Sequence, residues 1–244
     1  VIFSLLTLFP NFFASPLRES LIGKASDKGL IAFHTVDIRD FADDVHRTCD
    51  DAPYGGGAGM VMKIEPLYRA MGHVEKELGR PKFVLLSPQG RVFDGDTAKR
   101  FARLSHICLI CGRYEGVDER VLDLVDEELS VGNFILSGGE AAALVVIEAV
   151  SRLIPGVVGN EQSVANETFA EGLLDYPQYT RPEVFMDMTV PPVLLSGNHE
   201  EVRKWRRKEA IRKTFFKRPD IMERFEPSEE DRKLLKEILE DVPG

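Results

Sequence analysis

Cysteine is scarce, with three in 244 residues. That is too few for a disulfide framework and points to a reducing compartment. No run approaches the roughly 20 consecutive apolar residues that cross a bilayer. The five histidines show neither H-E-x-x-H nor any other metal-ligand spacing. There is no Gly-Lys-Ser/Thr run of the kind that closes a phosphate-binding P-loop. Internal repeats and low-complexity tracts are also missing. Basic residues are in deficit, 31 against 40 acidic ones, for a net charge of −9. Such a balance does not suggest a polyanion binder, although the placement of charge matters more than its sum.

What is present is an ordinary globular mixture, 43% hydrophobic and 29% charged, which excludes collagen-like and disordered chains. The length exceeds one minimal domain. Residues 1–13 are apolar but lack a basic leading segment and are interrupted by Pro10. They read as a buried strand rather than a signal peptide.

Short runs rich in Val, Ile, Leu and Phe predict buried strands at residues 1–8, 30–38, 82–87, 106–111 and 128–131. Helical patterns lie between them, at about 15–29, 65–78, 96–104, 118–125 and 139–153. This alternation predicts an α/β domain with a mostly parallel sheet. Three units are expected: an α/β domain over 1–160, a polar linker over 161–175, and a helical domain over 176–244. Within the last, the proline-bearing stretch 176–192 is expected to be mostly irregular.

Charge concentrates late in the chain. Residues 200–218 hold nine basic side chains, Arg206 and Arg207 among them, against three acids, a balance of +6. With Trp205, Phe215 and Phe216 interspersed, this segment is either a solvated helix face or a surface for phosphates.

The densest glycine cluster runs from Asp50 through Tyr54, Gly55, Gly56, Gly57 and Gly59 to Met60. Met60 stands where a dinucleotide fingerprint has its third glycine, and no strand is expected to lead into the loop. It is a flexible loop or, with two aspartates and a tyrosine at its entrance, a binding loop. Three more polar, glycine-bearing turns fall at predicted strand ends: 86–90, 111–116 and 131–140. Ligands of open α/β sheets sit at the carboxyl ends of strands, so their joint placement predicts a small-molecule pocket. Cys108 and Cys111 have C-x-x-C spacing, but residues three apart on a strand face opposite sides. They read as core residues. Asn166-Glu167-Thr168 matches a glycosylation sequon, without other signs of secretion.

The glycine loop, CGRYEG at 111–116, the 131–140 segment, FAEGLLD and PQYTRPE within 169–183, and PPVLLSGNH at 191–199 occur in that order. Together they resemble the bacterial tRNA (guanine-N(1))-methyltransferase family of the knotted SPOUT class, over almost the whole chain. The resemblance implies an α/β domain with a deep trefoil knot and a small helical C-terminal domain. It implies a cytoplasmic homodimer with composite active sites, and neither DNA nor membrane as partner. The knot would hold S-adenosylmethionine, and the product would be a methyl group on ring nitrogen 1 of the tRNA guanosine just 3′ of the anticodon. A knotted methyltransferase for another RNA base and a tRNA-binding module without catalysis are the alternatives.

Carried over by motif, Leu86, Ser87, Pro88 and Gln89 would form one wall of the donor pocket. Gly112 and Glu115 would form a second. Val131, Gly132, Asn133, Phe134, Ile135, Leu136, Gly138 and Gly139 would form the third. Asp50 and the Tyr54–Gly59 loop would face tRNA, and the basic segment with Arg206 and Arg207 would grip its backbone. Glu167 and Arg152 occupy the catalytic positions, as general base and as the cation stabilising the guanine carbonyl oxygen. The chain departs from the family pattern at Glu167, where Asp is usual, at Asn133-Phe134 in place of Asp-Tyr, and at Ala58 in place of a frequent Pro. Mg²⁺ dependence is also implied, with no acidic cluster in the sequence to locate the ion.

Overall fold

The computed structural model describes residues 1–159 and 172–241. The chain divides into two units, Val1–Glu161 and Gln162–Gly244.

The first unit is built on a five-stranded sheet. Its strands are β1 (Ile2–Thr7), β2 (Ala32–Asp37), β5 (Lys82–Val92), β6 (His106–Cys111) and β7 (Glu127–Ser130). They lie in the order β2-β1-β6-β5-β7, and every pair is parallel. Between them in sequence come α1 (Ser20–Asp27), the two-residue strands β3 (Asp50–Asp51) and β4 (Val61–Met62), α2 (Ile64–Leu78), and α3 (Gly95–Phe101). Helix α4 (Gly139–Ser151) follows β7.

Strand side chains alternate between two apolar layers, as period-two geometry requires. Phe3, Leu5, Ile107, Leu109 and Cys111 pack with Phe101 of α3 and with Ala143, Val146, Ile147 and Val150 of α4. Leu6, Cys108 and Ile110 pack on the other face with Leu67, Ala70, Met71 and Val74 of α2. Cys108 and Cys111 therefore sit in opposite layers, and burial pushes both thiols up. They are inert core residues.

The expected strands and the 65–78 helix are present with small shifts at their ends. Three expectations are corrected. The 15–29 helix begins only at Ser20, because Glu19 is extended and separates α1 from a single 3-10 turn at Pro16–Arg18. The 118–125 segment is a 3-10 turn, Glu119–Asp123, since β7 starts at Glu127 and leaves no room for a longer helix. Strand β5 does not end at Ser87. Leu86 and Arg91 both face Leu129, so the four residues between them bulge out and the chain then rejoins β7.

The second unit contains a hairpin of β8 (Val184–Phe185) and β9 (Met188–Thr189), inside the stretch expected to be irregular. Three helices follow: α5 (His199–Lys217), α6 (Pro219–Met222) and α7 (Glu229–Glu240). Asn198 caps α5 by accepting from Glu200 and Glu201 N–H groups, and Ser228 and Asp231 form a capping box on α7. Ala210, Ile211, Leu234 and Ile238 make its core, together with Leu173. Leu173 was expected in the linker, but its side chain is part of this core.

Candidate active site

The carboxyl ends of β5, β6 and β7 surround a cavity of about 440 Å³. Strand β5 lies between the other two, so chain segments leave its neighbours on both sides and a crevice opens above it. The β5 bulge contributes Leu86, Ser87, Pro88 and Gln89. The turn after β6 contributes Gly112 and Glu115, and the turn after β7 contributes Val131, Gly132, Phe134, Ile135, Leu136, Gly138 and Gly139. Asn133 is exposed and is not part of the lining.

Backbone contacts tie these turns together. Gly139 N–H donates to Gly112 C=O at 2.9 Å. A Cβ on Gly139 would lie 2.7 Å from Cys111 Cα, so only glycine lets α4 begin this close to β6. On the β7 side, Ser130 Oγ donates to Gly132 C=O at 3.1 Å, and the Phe134 ring folds back against Gly132.

A polar network lies behind Arg113, one of the residues lining the cavity. Arg113 donates from Nε to Glu140 Oε2 at 2.9 Å and from a terminal amine to Ser137 C=O at 3.2 Å. Thr7 Oγ1, at the end of β1, donates to Glu140 Oε1 at 2.8 Å, and Phe9 N–H donates to Thr7 Oγ1 at 2.9 Å. The guanidinium also stacks 4.3 Å from the Phe9 ring centroid. Glu140 is 1% exposed, so its charge is held entirely by these partners. Sequence reasoning passed over Thr7, Arg113 and Glu140 as site residues. The only signal was an ionisable pair inside glycine-rich turns.

The glycine loop joins β3 to β4, so a short strand does lead into it. Gly55, Gly56, Gly57 and Gly59 all have positive φ, which side-chain-bearing residues rarely adopt. The hairpin is fastened to the turn after β6: Glu115 N–H donates to Met60 C=O and Met62 N–H to Gly116 C=O, both at 3.0 Å. Glu115 packs directly on the Gly59 backbone. The loop base is thus continuous with the cavity wall, while Tyr54 at its tip is fully exposed.

Arg152 lies just past the last residue of α4, whereas Gly139 at the first residue lines the cavity. At 1.5 Å per residue the two are about 20 Å apart along the helix. Glu167 and the sequon around it lie outside the described residues. Among the described residues, no group of three or more His, Cys, Asp or Glu side chains is placed to hold a metal ion. No helix there is long and apolar enough to cross a membrane.

The basic segment forms α5, and its charge is largely spent within its own unit. Arg203 pairs with Glu230, Arg207 with Asp231, Lys208 with Glu237 and Arg212 with Asp241. Arg207 forks onto Asp231 through its Nε and a terminal amine at 2.7 and 3.0 Å. Arg206 is exposed and stacks 4.8 Å from the Tyr176 ring.

The family model for tRNA (Guanine-1)-methyltransferase TrmD matches residues 1–224. The chain belongs to this methyltransferase family. A tRNA (guanine-N(1)-)-methyltransferase of Dictyoglomus turgidum is 49% identical over 98% of this chain and 96% of its own. One from Citrifermentans bemidjiense is 53% identical over 97% and 95%. The structure of the tRNA (m1G37) methyltransferase from Aquifex aeolicus superposes with a TM-score of 0.76 at 39% identity, covering 92% of this chain and 95% of that one. Methyltransferase membership agrees with the position of the cavity, at the strand ends where an α/β sheet binds a small molecule.

Proposed function

We propose that the chain transfers a methyl group from S-adenosylmethionine to ring nitrogen 1 of the tRNA guanosine immediately 3′ of the anticodon. The observation that carries this reading is the cavity over β5, walled by three glycine-bearing turns in a chain that matches the family almost end to end. Its volume suits a nucleoside-sized ligand. The close backbone approach at Gly139, where a Cβ would meet Cys111 and Gly112, fixes the start of α4 at the cavity wall. When bound, the donor supplies an electrophilic methyl group on a sulfonium.

The chain's own residues supply the rest. Guanine nitrogen 1 carries a proton at neutral pH and becomes nucleophilic when that proton leaves. Glu167 accepts it, a general-base role worth roughly 10²–10⁴ in rate. The nitrogen lone pair forms the new bond to carbon, and the electrons of the broken carbon–sulfur bond stay on sulfur. Arg152 stabilises the negative charge that builds on the guanine oxygen. The glycine loop with Asp50 and Tyr54 faces the tRNA. Among the described residues no acidic cluster fits Mg²⁺.

Arg152 stands about 15 Å along α4 from Ala142, the nearest helix residue lining the cavity of its own chain, which supports a homodimer whose sites are composite. In this reading Arg152 and Glu167 of one protomer serve the donor cavity of its partner. The knotted chain path and a cytoplasmic location belong to the same reading.

The test is methyl transfer from labelled S-adenosylmethionine to two tRNA transcripts, one with guanosine and one with adenosine at the target. Product on the guanosine transcript alone is expected. Glu167→Gln should slow single-turnover transfer by about 10²-fold or more, and Glu167→Asp should retain substantial activity. Mixing Glu167→Gln chains with Gly112→Val chains should restore one working site per mixed dimer. No recovery would overturn the composite arrangement.

A further inference from the structure

The second unit carries a surface that the methyl-transfer chemistry does not use. Residues 173–179 run along α5 and are pinned to it. Leu173 is buried in the core. Leu174 N–H donates to Thr214 Oγ1 at 2.9 Å, and Lys213 Nζ donates to Asp175 C=O at 3.1 Å. Further along, Tyr176 lies under the Arg206 guanidinium, and Tyr179 packs against Trp205 with ring centroids 6.3 Å apart. Two aromatic layers and one cation are thereby held side by side against α5.

Their exposure is unusual for anchored rings. Tyr179 is 49% exposed, and Trp205 is only half-buried. Arg206 differs from its neighbours in charge bookkeeping as well. Six of the nine cations in this segment pair with carboxylates. Among the described residues, Arg206 faces none and keeps its charge beside the rings.

We infer that Tyr176, Tyr179, Trp205 and Arg206 form a stacking platform for an unstacked base of the bound tRNA. Aromatic faces and guanidinium planes are what single-stranded bases stack on, and an uncompensated cation beside them attracts the flanking phosphate. The platform is pre-organised by the Leu174 and Lys213 contacts, so little ordering is needed on binding. The inference rests on the tRNA reading above.

Trp205 is the one tryptophan in the chain, so its emission reports on the platform alone. The experiment titrates the intact 244-residue chain with the guanosine tRNA transcript, following Trp205 emission and, separately, filter binding at several salt concentrations. Emission should be quenched in step with binding. Tyr179→Leu should weaken tRNA binding on the order of tenfold and leave the salt slope unchanged, because stacking releases no counterions. Arg206→Ala should weaken binding and lower the slope by about one. Tyr179 is half exposed, so its variant is expected to fold, and circular dichroism checks this. If folded Tyr179→Leu binds within twofold of wild type, or if tRNA saturates the protein without changing Trp205 emission, the platform is overturned. Methylation by such a protein would leave the methyl-transfer reading standing. Quenching by tRNA without methylation would support the platform and sink that reading.

Discussion

Glu140 and Arg113 meet beside the cavity over β5 as a part-buried pair, with two guanidinium nitrogens 2.9 and 2.8 Å from one carboxylate oxygen. The pair bridges the first turn of α4 and the segment leaving β6. The same guanidinium holds Ser137 C=O, so it ties the second and third walls of the cavity together. Arg113 also lies against Gly138, where a Cβ would collide with the guanidinium.

Glu140→Gln keeps the shape and removes the charge that holds Arg113. Donor affinity should fall by about tenfold or more, since the part-buried Arg113 guanidinium loses its charged partner and will rearrange. The single-turnover rate at saturating donor should change little, because the pair touches no reacting atom. Calorimetry of donor binding, set beside rapid-quench rates, separates the two. A rate loss with intact affinity would remove Glu140 from this role.

Two glycines of the same cavity should respond differently to alanine. At Gly139 the added methyl meets Cys111 Cα at 2.7 Å and Gly112 N at 3.1 Å, both backbone atoms that cannot step aside. Gly139→Ala should cost about 1–3 kcal/mol in stability and impair donor binding. At Gly112 the nearest atoms are 3.4 Å away, so Gly112→Ala should bind the donor within about threefold of wild type, while Gly112→Val crowds the cavity. Equal behaviour of the two alanine variants in calorimetry and thermal melts would contradict this.

The Arg207–Asp231 fork should matter for stability and not for RNA. Asp231 is 2% exposed, and the Arg207 guanidinium with the Ser228 hydroxyl and N–H holds its carboxyl at about 2, below the ordinary 3.8. A depressed carboxyl stabilises the fold above its unfolded value. That contribution, about 2 kcal/mol, is lost as pH falls from 3.8 towards 2. Arg207→Ala should destabilise the helical unit by roughly 3 kcal/mol and leave the salt slope of tRNA binding unchanged. A slope lowered by one would reassign Arg207 to phosphate contact.

His106 should make the α/β unit sensitive to mild acid. Its Nε2 sits 2.8 Å from Ser4 Oγ, and burial, with a smaller contribution from His34, lowers its pKa from 6.5. The unfolded chain then takes up a proton near 6.5 that the folded chain refuses, so stability is full above that pH and declines as pH falls below it. Thermal unfolding between pH 7.5 and 5.5 should show the decline, and His106→Gln should flatten it. An unchanged pH dependence in the variant would show that other groups carry the effect.

The sequence alone determined the strands, most helices and the three turns that wall the cavity. Local pattern suffices there: a buried parallel strand such as 106–111 must be apolar throughout, and the turns at its carboxyl end must be polar and glycine-bearing. It also determined that Cys108 and Cys111 face apart, because strand periodicity permits nothing else. Tertiary structure decided the rest. Thr7, Arg113 and Glu140 come from three distant segments, and only the strand order brings β1 beside β6. The excess positive charge of residues 200–218 is a property of one segment, but its neutralisation depends on α7 packing against α5. Acids that follow in sequence, Glu230, Asp231, Glu237 and Asp241, fold back onto that helix and leave Arg206 as an exposed cation stacked on an aromatic ring. Charge counted along a chain is additive, whereas charge presented to a partner is what remains after the chain has paired with itself.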